Sequence, residues 1–253
     1  MRVVLIGAGN VATHFGEALL AAGYHILQVY SRTEQSAGEL ASRLNATFCS
    51  SIHEVVEADL YVYSVSDSAL PEVINQMIHT TGIHIHTTGS VGVEVFGNKF
   101  SAFGVIYPLQ TFSKQKDLDF NQVPLFVEAV SDTVKDHLLQ IAEKLSKHVY
   151  VANSAQRIQL HIAAVFACNF SNYFYSIAAD VLNKAGFPFE VLHSLILETA
   201  EKIRTLSPDQ AQTGPARRND QDSVEKHISM INDSEVAELY RVISARITQK
   251  YLS

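Results

Sequence analysis

Gly7-Ala8-Gly9-Asn10-Val11-Ala12 stands between a short apolar run, 2–6, and a stretch in which Val11, Phe15, Ala18, Leu19 and Ala22 share one helical face. This is G-x-G-x-x-A at a strand-to-helix turn. The first glycine allows the tight turn, and the second lets the backbone approach a pyrophosphate. Small Ala12 permits close packing of helix on strand. The first helical turn presents unpaired N–H groups to the phosphates. A lone glycine pattern also marks ordinary turns, but its position at residue 7 and its strand–turn–helix setting point to a dinucleotide site. Gly7, Gly9, Asn10 and Val11 are the residues placed against it.

Up to residue 152, β-branched runs at 2–6, 26–30, 46–48, 60–65, 83–86, 102–107, 125–128 and 148–151 alternate with helical patterns. That alternation predicts α/β architecture, a Rossmann-type, mostly parallel sheet over 1–152. From 153 to 253 strand signals vanish, and an all-helical second domain is expected. Its helices are predicted at 155–185 (closed by Gly186 and Pro188), at 189–206 (stopped by Pro208), after a capping box of Asp222 and Glu225, and at 234–251. The segment Leu160 to Cys168 is apolar nearly all round and needs burial on several sides. A homodimer built on the helical domain follows as the expected assembly.

The formal net charge of -7 argues against a nucleic-acid backbone as partner. With 47% hydrophobic and 18% charged residues, and no unbroken apolar run of about 18 residues, a soluble chain without a membrane span is expected. The start, Met1-Arg2-Val3-Val4-Leu5-Ile6-Gly7, lacks a signal-peptide core, which makes a cytoplasmic location the default. Cys49 and Cys168 make neither a metal motif nor an expected disulfide, and both read as buried structural thiols. His79, His84 and His86 have no carboxylate or cysteine at ligand spacing, so no metal site is expected. His86 is expected at the edge of the cleft.

An NAD-selective site wants an acid at the end of the second strand, to accept from the ribose 2′-OH. This chain has Tyr30-Ser31-Arg32-Thr33 and no acid until Glu34. Arg32 can pair with a 2′-phosphate and the Ser31 hydroxyl can donate to it, which predicts NADP over NAD; the plainer alternative is a solvated loop arginine. Val65-Ser66 and Thr87-Thr88-Gly89-Ser90 follow later strands, at the edge where open α/β sheets bind ligands.

Taken together, Gly7–Ala12, Ser31-Arg32 and the helical second half resemble the pyrroline-5-carboxylate reductase and β-hydroxyacid dehydrogenase superfamily. Its members pair a Rossmann domain with a helical domain like the C-terminal part of 6-phosphogluconate dehydrogenase. The Rossmann half is also similar to the deazaflavin-dependent NADP oxidoreductase domain. His86–Ser90, Tyr107-Pro108-Leu109-Gln110-Thr111-Phe112, His161–Val165 with Asn169, and Thr213-Gly214-Pro215 through Arg218 and Asp220 resemble one family in particular. Its members are NADP oxidoreductases whose helical domain has no assigned function. That resemblance implies fold and cofactor, but no substrate. By the superfamily pattern, Thr88, Gly89 and Ser90 would bind substrate. His161 stands roughly where the dehydrogenases carry a lysine, and Asn169 lies eight residues on where they carry an asparagine four residues on.

Hydride transfer needs an acid/base group beside the reacting atom, and histidine suits that work. His161 stands out among Leu160, Ile162, Ala163, Ala164 and Val165. At about 100° per residue, Asn169 falls about 80° and Asn172 about 20° from it around the helix. His161 and Asn169 are therefore the candidate catalytic pair in a cleft between the domains, against the alternative of a satisfied core histidine. Arg217 or Arg218 in the loop 213–220 is placed to clamp a substrate carboxylate, with Asp220 orienting it. A solvated loop is the equal alternative. The expected function is an NADP-dependent oxidoreductase acting on a small polar carbonyl, imine or hydroxy compound. The other class is a non-catalytic dinucleotide-binding sensor or interaction protein.

Overall fold

The computed structural model describes residues 1–252. They form two compact units, one running from Met1 to Asn169 and the other from Phe170 onward. The expected boundary at 152/153 marks the end of the last strand. The division between units falls inside the long helix that follows.

All eight predicted strands are present in the first unit: β1 Arg2–Ile6, β2 His25–Tyr30, β3 Thr47–Cys49, β4 Leu60–Tyr63, β5 Ile83–His86, β6 Phe103–Pro108, β7 Leu125–Ala129 and β8 Val149–Val151. They make one sheet in the order β3-β2-β1-β4-β5-β6-β7-β8. Every pair is parallel except β6 with β7, where Gly104 faces Ala129 and Pro108 faces Leu125. The first six strands follow the order of a doubly wound dinucleotide fold, whose ligand crevice opens where the chain reverses direction across the sheet, between β1 and β4. The helices α1 Asn10–Ala21, α2 Glu34–Arg43, α3 Leu70–Gln76 and α4 Asp132–Leu145 cover the faces.

Alternation along β1 shows how both faces are buried. Val3 and Leu5 join Phe15, Leu19 and Leu138 in one core, while Val4 and Ile6 join Tyr61, Tyr63, Leu70 and Phe96 in the other. Strands covered on both sides read as continuous apolar runs, as 2–6 and 60–63 do. β4 stops at Tyr63, two residues short of the prediction, which leaves Val65 and Ser66 in the turn beyond the sheet.

The predicted helix 155–185 is continuous but not uniform. It consists of α5 Ser154–Ala164, a π turn Val165–Phe170 and α6 Ser171–Ala185. Only Arg157 is buried along α5, and no residue is buried along α6. The burial expected for Leu160 to Cys168 is therefore not met within one chain: Ile162 is 44% and Phe166 65% exposed. Cys168 is exposed too, contrary to the buried-thiol reading, while Cys49 is buried. By length and composition alone, Ser154–Ala185 is long and apolar enough to cross a membrane. Its apolar run is not unbroken, since His161, Asn169, Ser171, Asn172 and Ser176 interrupt it.

In the second unit α6 is followed by α7 His193–Lys202, α8 Pro208–Ala211, α9 Gln221–Met230 and α10 Ser234–Leu252. Pro208 sits at the start of α8, not merely after a helix, because Ser207 and Gln210 form a capping box around it. The expected box of Asp222 and Glu225 is corrected: Asp220 caps α9 by accepting from the Ser223 amide at 3.1 Å. This unit buries a small cluster, Ala216, Val224 and Ile228. Leu195, Leu197 and Met230 are 60%, 64% and 71% exposed.

Candidate active site

The turn after β1 is built for close approach. Gly7 adopts φ +118°, and a Cβ there would stand 2.3 Å from the Ser64 carbonyl oxygen, so only glycine fits. The Gly7 amide donates to the Tyr30 carbonyl at 2.8 Å, tying the turn to β2. Gly9 caps α1 with no side chain bonded to the free N–H groups, and nothing lies within 4 Å of where its Cβ would point. Open space beside unpaired donors at a helix start suits a pyrophosphate. The Asn10 side chain is used elsewhere. Its Nδ2 donates to the Phe112 carbonyl at 2.9 Å, and His14 Nε2 lies 2.9 Å from the Ser113 carbonyl, so α1 holds the loop after β6. Asn10 and Val11 are left to offer backbone alone.

Arg32 and Thr33 are exposed and Ser31 half-buried just past β2. Among the described residues no carboxylate pairs with Arg32. A free guanidinium beside two hydroxyls fits a 2′-phosphate better than a bare 2′-OH. Val65 packs beneath the turn, its Cγ1 3.2 Å from the Gly7 Cβ position, and Ser66 is exposed beside it.

The loop after β5 is tied from several sides. Thr87 Oγ1 donates to Ser64 Oγ at 3.1 Å, and the Val91 amide donates to Thr88 Oγ1 at 3.2 Å. Ser90 Oγ donates to the Asp67 carboxylate. From below comes Arg157, fully buried on α5 and not singled out from the sequence. Its Nε donates to the Thr88 carbonyl at 3.2 Å and its Nη2 to the Val91 carbonyl. Its Nη1 reaches Glu128 Oε2 on β7 at 2.9 Å. Glu128 also accepts from the Ser154 amide at 2.8 Å and from Ser154 Oγ. Burial alone would lower the Arg157 pKa, and the carboxylate opposes it. Arg157 is thus committed to scaffolding and is not available to a substrate.

One helical turn on, His161 is half-buried on the same face as Arg157. Its Nδ1 lies 3.1 Å from the Tyr107 hydroxyl on β6. A Cβ on Gly89 would stand 2.7 Å from His161 Nδ1 and 2.8 Å from Tyr107 Cζ. The missing side chain lets the loop backbone lie against both rings. Tyr107 is only 7% exposed, and burial pushes its phenol up to about 12, with the Arg157 charge working against that.

The predicted residues Thr88, Gly89, Ser90 and His161 therefore come together, joined by Tyr107, whose role the sequence motif alone does not reveal. Asn169 does not join them. It is exposed in the π turn and, among the described residues, shares no hydrogen bond with His161. The 100° arithmetic fails across a π turn, which carries an i→i+5 pattern and shifts the phase of everything after it. Arg218 is exposed in the second unit, and Arg217 lies 4.4 Å from the Tyr251 ring. Asp220 is engaged as the α9 cap and, among the described residues, makes no ion pair with either arginine, although the Arg218 charge adds to the Ser223 hydrogen bonds that lower its pKa.

The strand histidines are interior. His84 bonds Tyr63 Oη at 3.0 Å and Thr80 Oγ1 at 2.7 Å, and its ring stacks on Phe100. His86, expected at a cleft edge, is fully buried against Phe96. Its Nδ1 accepts from the Thr88 amide at 3.3 Å, so it supports the loop from inside, and among the described residues its Nε2 meets no hydrogen-bond partner.

A Rossmann-like domain model matches residues 1–109, and a model described as a domain of unknown function, DUF2520, matches residues 123–247. No protein of curated function matches the sequence. Among solved structures, a candidate NADP oxidoreductase from Bacteroides fragilis is 43% identical over 98% of both chains, with a TM-score of 0.92. Protein TM1727 from Thermotoga maritima is 20% identical, covering 99% of this chain and 100% of that one, with a TM-score of 0.74. An imine reductase from Myxococcus stipitatus in complex with NADP+ is 15% identical over 100% of both chains, with a TM-score of 0.71. The last two likenesses speak for the fold alone. Identity of 43% across nearly the whole length does more: this chain belongs to the same family as the Bacteroides protein, one that joins a Rossmann-like domain to the DUF2520 domain.

Proposed function

We propose that this chain is an NADP-dependent oxidoreductase acting on a small polar carbonyl, imine or hydroxy compound, with His161 as the group that transfers the proton. The observation that carries this reading is the seat of His161. Its ring lies against Gly89 and Tyr107 at the carboxyl edge of the sheet, the edge that also bears the Gly7 turn. NADP is the cofactor: Gly7, Gly9 and the first turn of α1 would hold the pyrophosphate, and Arg32 with Ser31 the 2′-phosphate; the chain is 43% identical to one named for NADP. When bound, NADPH supplies the hydride. The residues around it then have three tasks: Ser90 Oγ, its proton held by Asp67, can accept from the substrate, the Thr88 hydroxyl proton can be donated to it, and His161 exchanges the proton. Free thiols at Cys49 and Cys168 fit a reducing cytoplasmic compartment.

The test is His161→Gln, assayed by NADPH absorbance against a panel of small carbonyls, imines and hydroxy compounds. The wild type is expected to turn over at least one class. The variant should lose about 10²- to 10⁴-fold in kcat while keeping its melting temperature and NADPH affinity. Turnover surviving in the variant, or loss that only tracks unfolding, would overturn the role. NADPH binding without turnover of any compound would favour a sensor.

We further propose a homodimer through the helical unit. Its large exposed side chains, Leu195, Leu197 and Phe187 among them, are apolar surface that a second copy would cover. Sedimentation should give a mass of two chains. A concentration-independent mass of one 27.9 kDa chain would refute it.

A further inference from the structure

We propose that Tyr107 is a positioning residue that fixes His161 Nε2 as the proton-exchanging atom and follows the ring through both of its protonation states. This rests on the role of His161 proposed above and adds a second residue to it.

The argument begins with geometry. Tyr107 Oη stands 3.1 Å from Nδ1 of His161, and the two rings meet edge-on, 6.1 Å apart at 71°. With Nδ1 engaged, Nε2 is the nitrogen left for a substrate. Gly89 fixes the approach from the third side, since any Cβ there would collide with both rings at once. Three elements thus converge on one contact: β6 brings Tyr107, the loop after β5 brings Gly89, and α5 brings His161.

The kind of partner matters. A carboxylate at Nδ1 would accept only and would favour the imidazolium. A backbone carbonyl would also accept only. A phenolic hydroxyl donates and accepts. When the ring is charged, Nδ1–H donates to Tyr107 Oη. When Nε2 gives its proton to the oxygen or nitrogen of the substrate, the neutral ring keeps Nδ1–H and the same hydrogen bond. Solvent then restores the Nε2 proton. In the opposite direction the Nε2 lone pair takes the proton, again without disturbing Nδ1. The hydroxyl can also turn and donate to Nδ1, which accommodates the other neutral tautomer. Tyr107 itself stays protonated throughout.

The charged groups around the pair fit this division of labour. Arg157, one turn earlier on α5, is neutralised by Glu128 and engaged with the Thr88 and Val91 carbonyls. Asp67, on the turn after β4, accepts from Ser90. Neither makes an ion pair with His161 among the described residues, so the hydroxyl is its polar anchor.

The test is Tyr107→Phe, which keeps the ring and removes one oxygen. In protein carrying ¹⁵N-labelled histidine, the Nδ1 and Nε2 signals of His161 should move, while those of His84 and His86 stay in place. Superimposable His161 signals in the two proteins would overturn the proposal, whether or not a substrate is in hand. With a substrate from the panel, kcat should fall about tenfold, a fraction of what a full proton-transfer group contributes. KM for NADPH should be unchanged. Full kcat, beside an inactive His161→Gln, would sink the role of Tyr107 and leave that of His161 standing. Full activity of His161→Gln would sink the catalytic role, while the spectra would still report whether the two rings are coupled.

Discussion

Arg157→Leu should lower the unfolding free energy by about 3–5 kcal/mol, the cost of removing one partner from a buried ion pair. The Arg157 side chain is 0% exposed and that of Glu128 14%. Leucine fills part of the volume but leaves the Glu128 carboxylate without its counter-charge, and it strips the Thr88 and Val91 carbonyls of donors. Ser154 still donates to Glu128, so the loss should be large but short of complete. Lysine in place of arginine keeps the charge but cannot reach two carbonyls and a carboxylate at once, because it lacks the planar fork. Arg157→Lys should therefore fall between the two. Adding Glu128→Gln to Arg157→Leu should recover part of the loss, since the stranded charge is then gone. Urea denaturation with midpoint and slope fitted separately would measure all three. A leucine variant within about 1 kcal/mol of the parent would show that the pair is stabilised mainly by its neighbours, contrary to the loss expected for a stranded buried charge.

That pair is also the clearest case of what could not be read in advance. An arginine in the first turn of a predicted helix looks like a solvated residue, and its burial is decided by Glu128, 29 positions earlier in the chain. Only the β7–α5 packing reveals the two together. By contrast the Gly7 turn and all eight strands were legible, because buried parallel strands are runs of β-branched and aromatic residues with turn residues between them. The antiparallel β7 was not, since pairing direction leaves no mark on side-chain pattern. His161 was legible as a polar residue among apolar neighbours. Asn169 was misplaced because the π turn that shifts its phase has no residue signature. The α9 cap is not decided by the sequence, since Asp220 with Ser223 and Asp222 with Glu225 both offer an acid ahead of a helical run, and only the hydrogen bonds choose between them.

Stability should fall steeply as the pH is lowered from 7 to 5, because two interior histidines cannot take up protons while the chain is folded. Burial pushes both His84 and His86 down to about 3; the charges of His79 and Lys99 add to the effect at His84, and that of Arg157 at His86. In the unfolded chain both titrate near 6.5. Between those values the unfolded state binds more protons, so each histidine contributes stability that is fully present above about 6.5 and is lost as the pH falls toward 3. At about 1.4 kcal/mol per pH unit each, the pair accounts for about 4 kcal/mol between pH 7 and 5, as an upper figure. The functional consequence lies with His86. Its neutral Nδ1 accepts the Thr88 amide at the start of the loop that carries Gly89 and Ser90, and a protonated ring has no lone pair left to accept it. The candidate substrate loop should loosen together with the fold. His86→Asn supplies a carbonyl oxygen to the same amide and cannot titrate, so it should halve the fall in stability over this range. Urea midpoints at pH 7 and 5 for the two proteins decide the matter. Equal midpoints at both pH values in the parent, or an undiminished fall in His86→Asn, would show that the buried histidines do not set the acid limit.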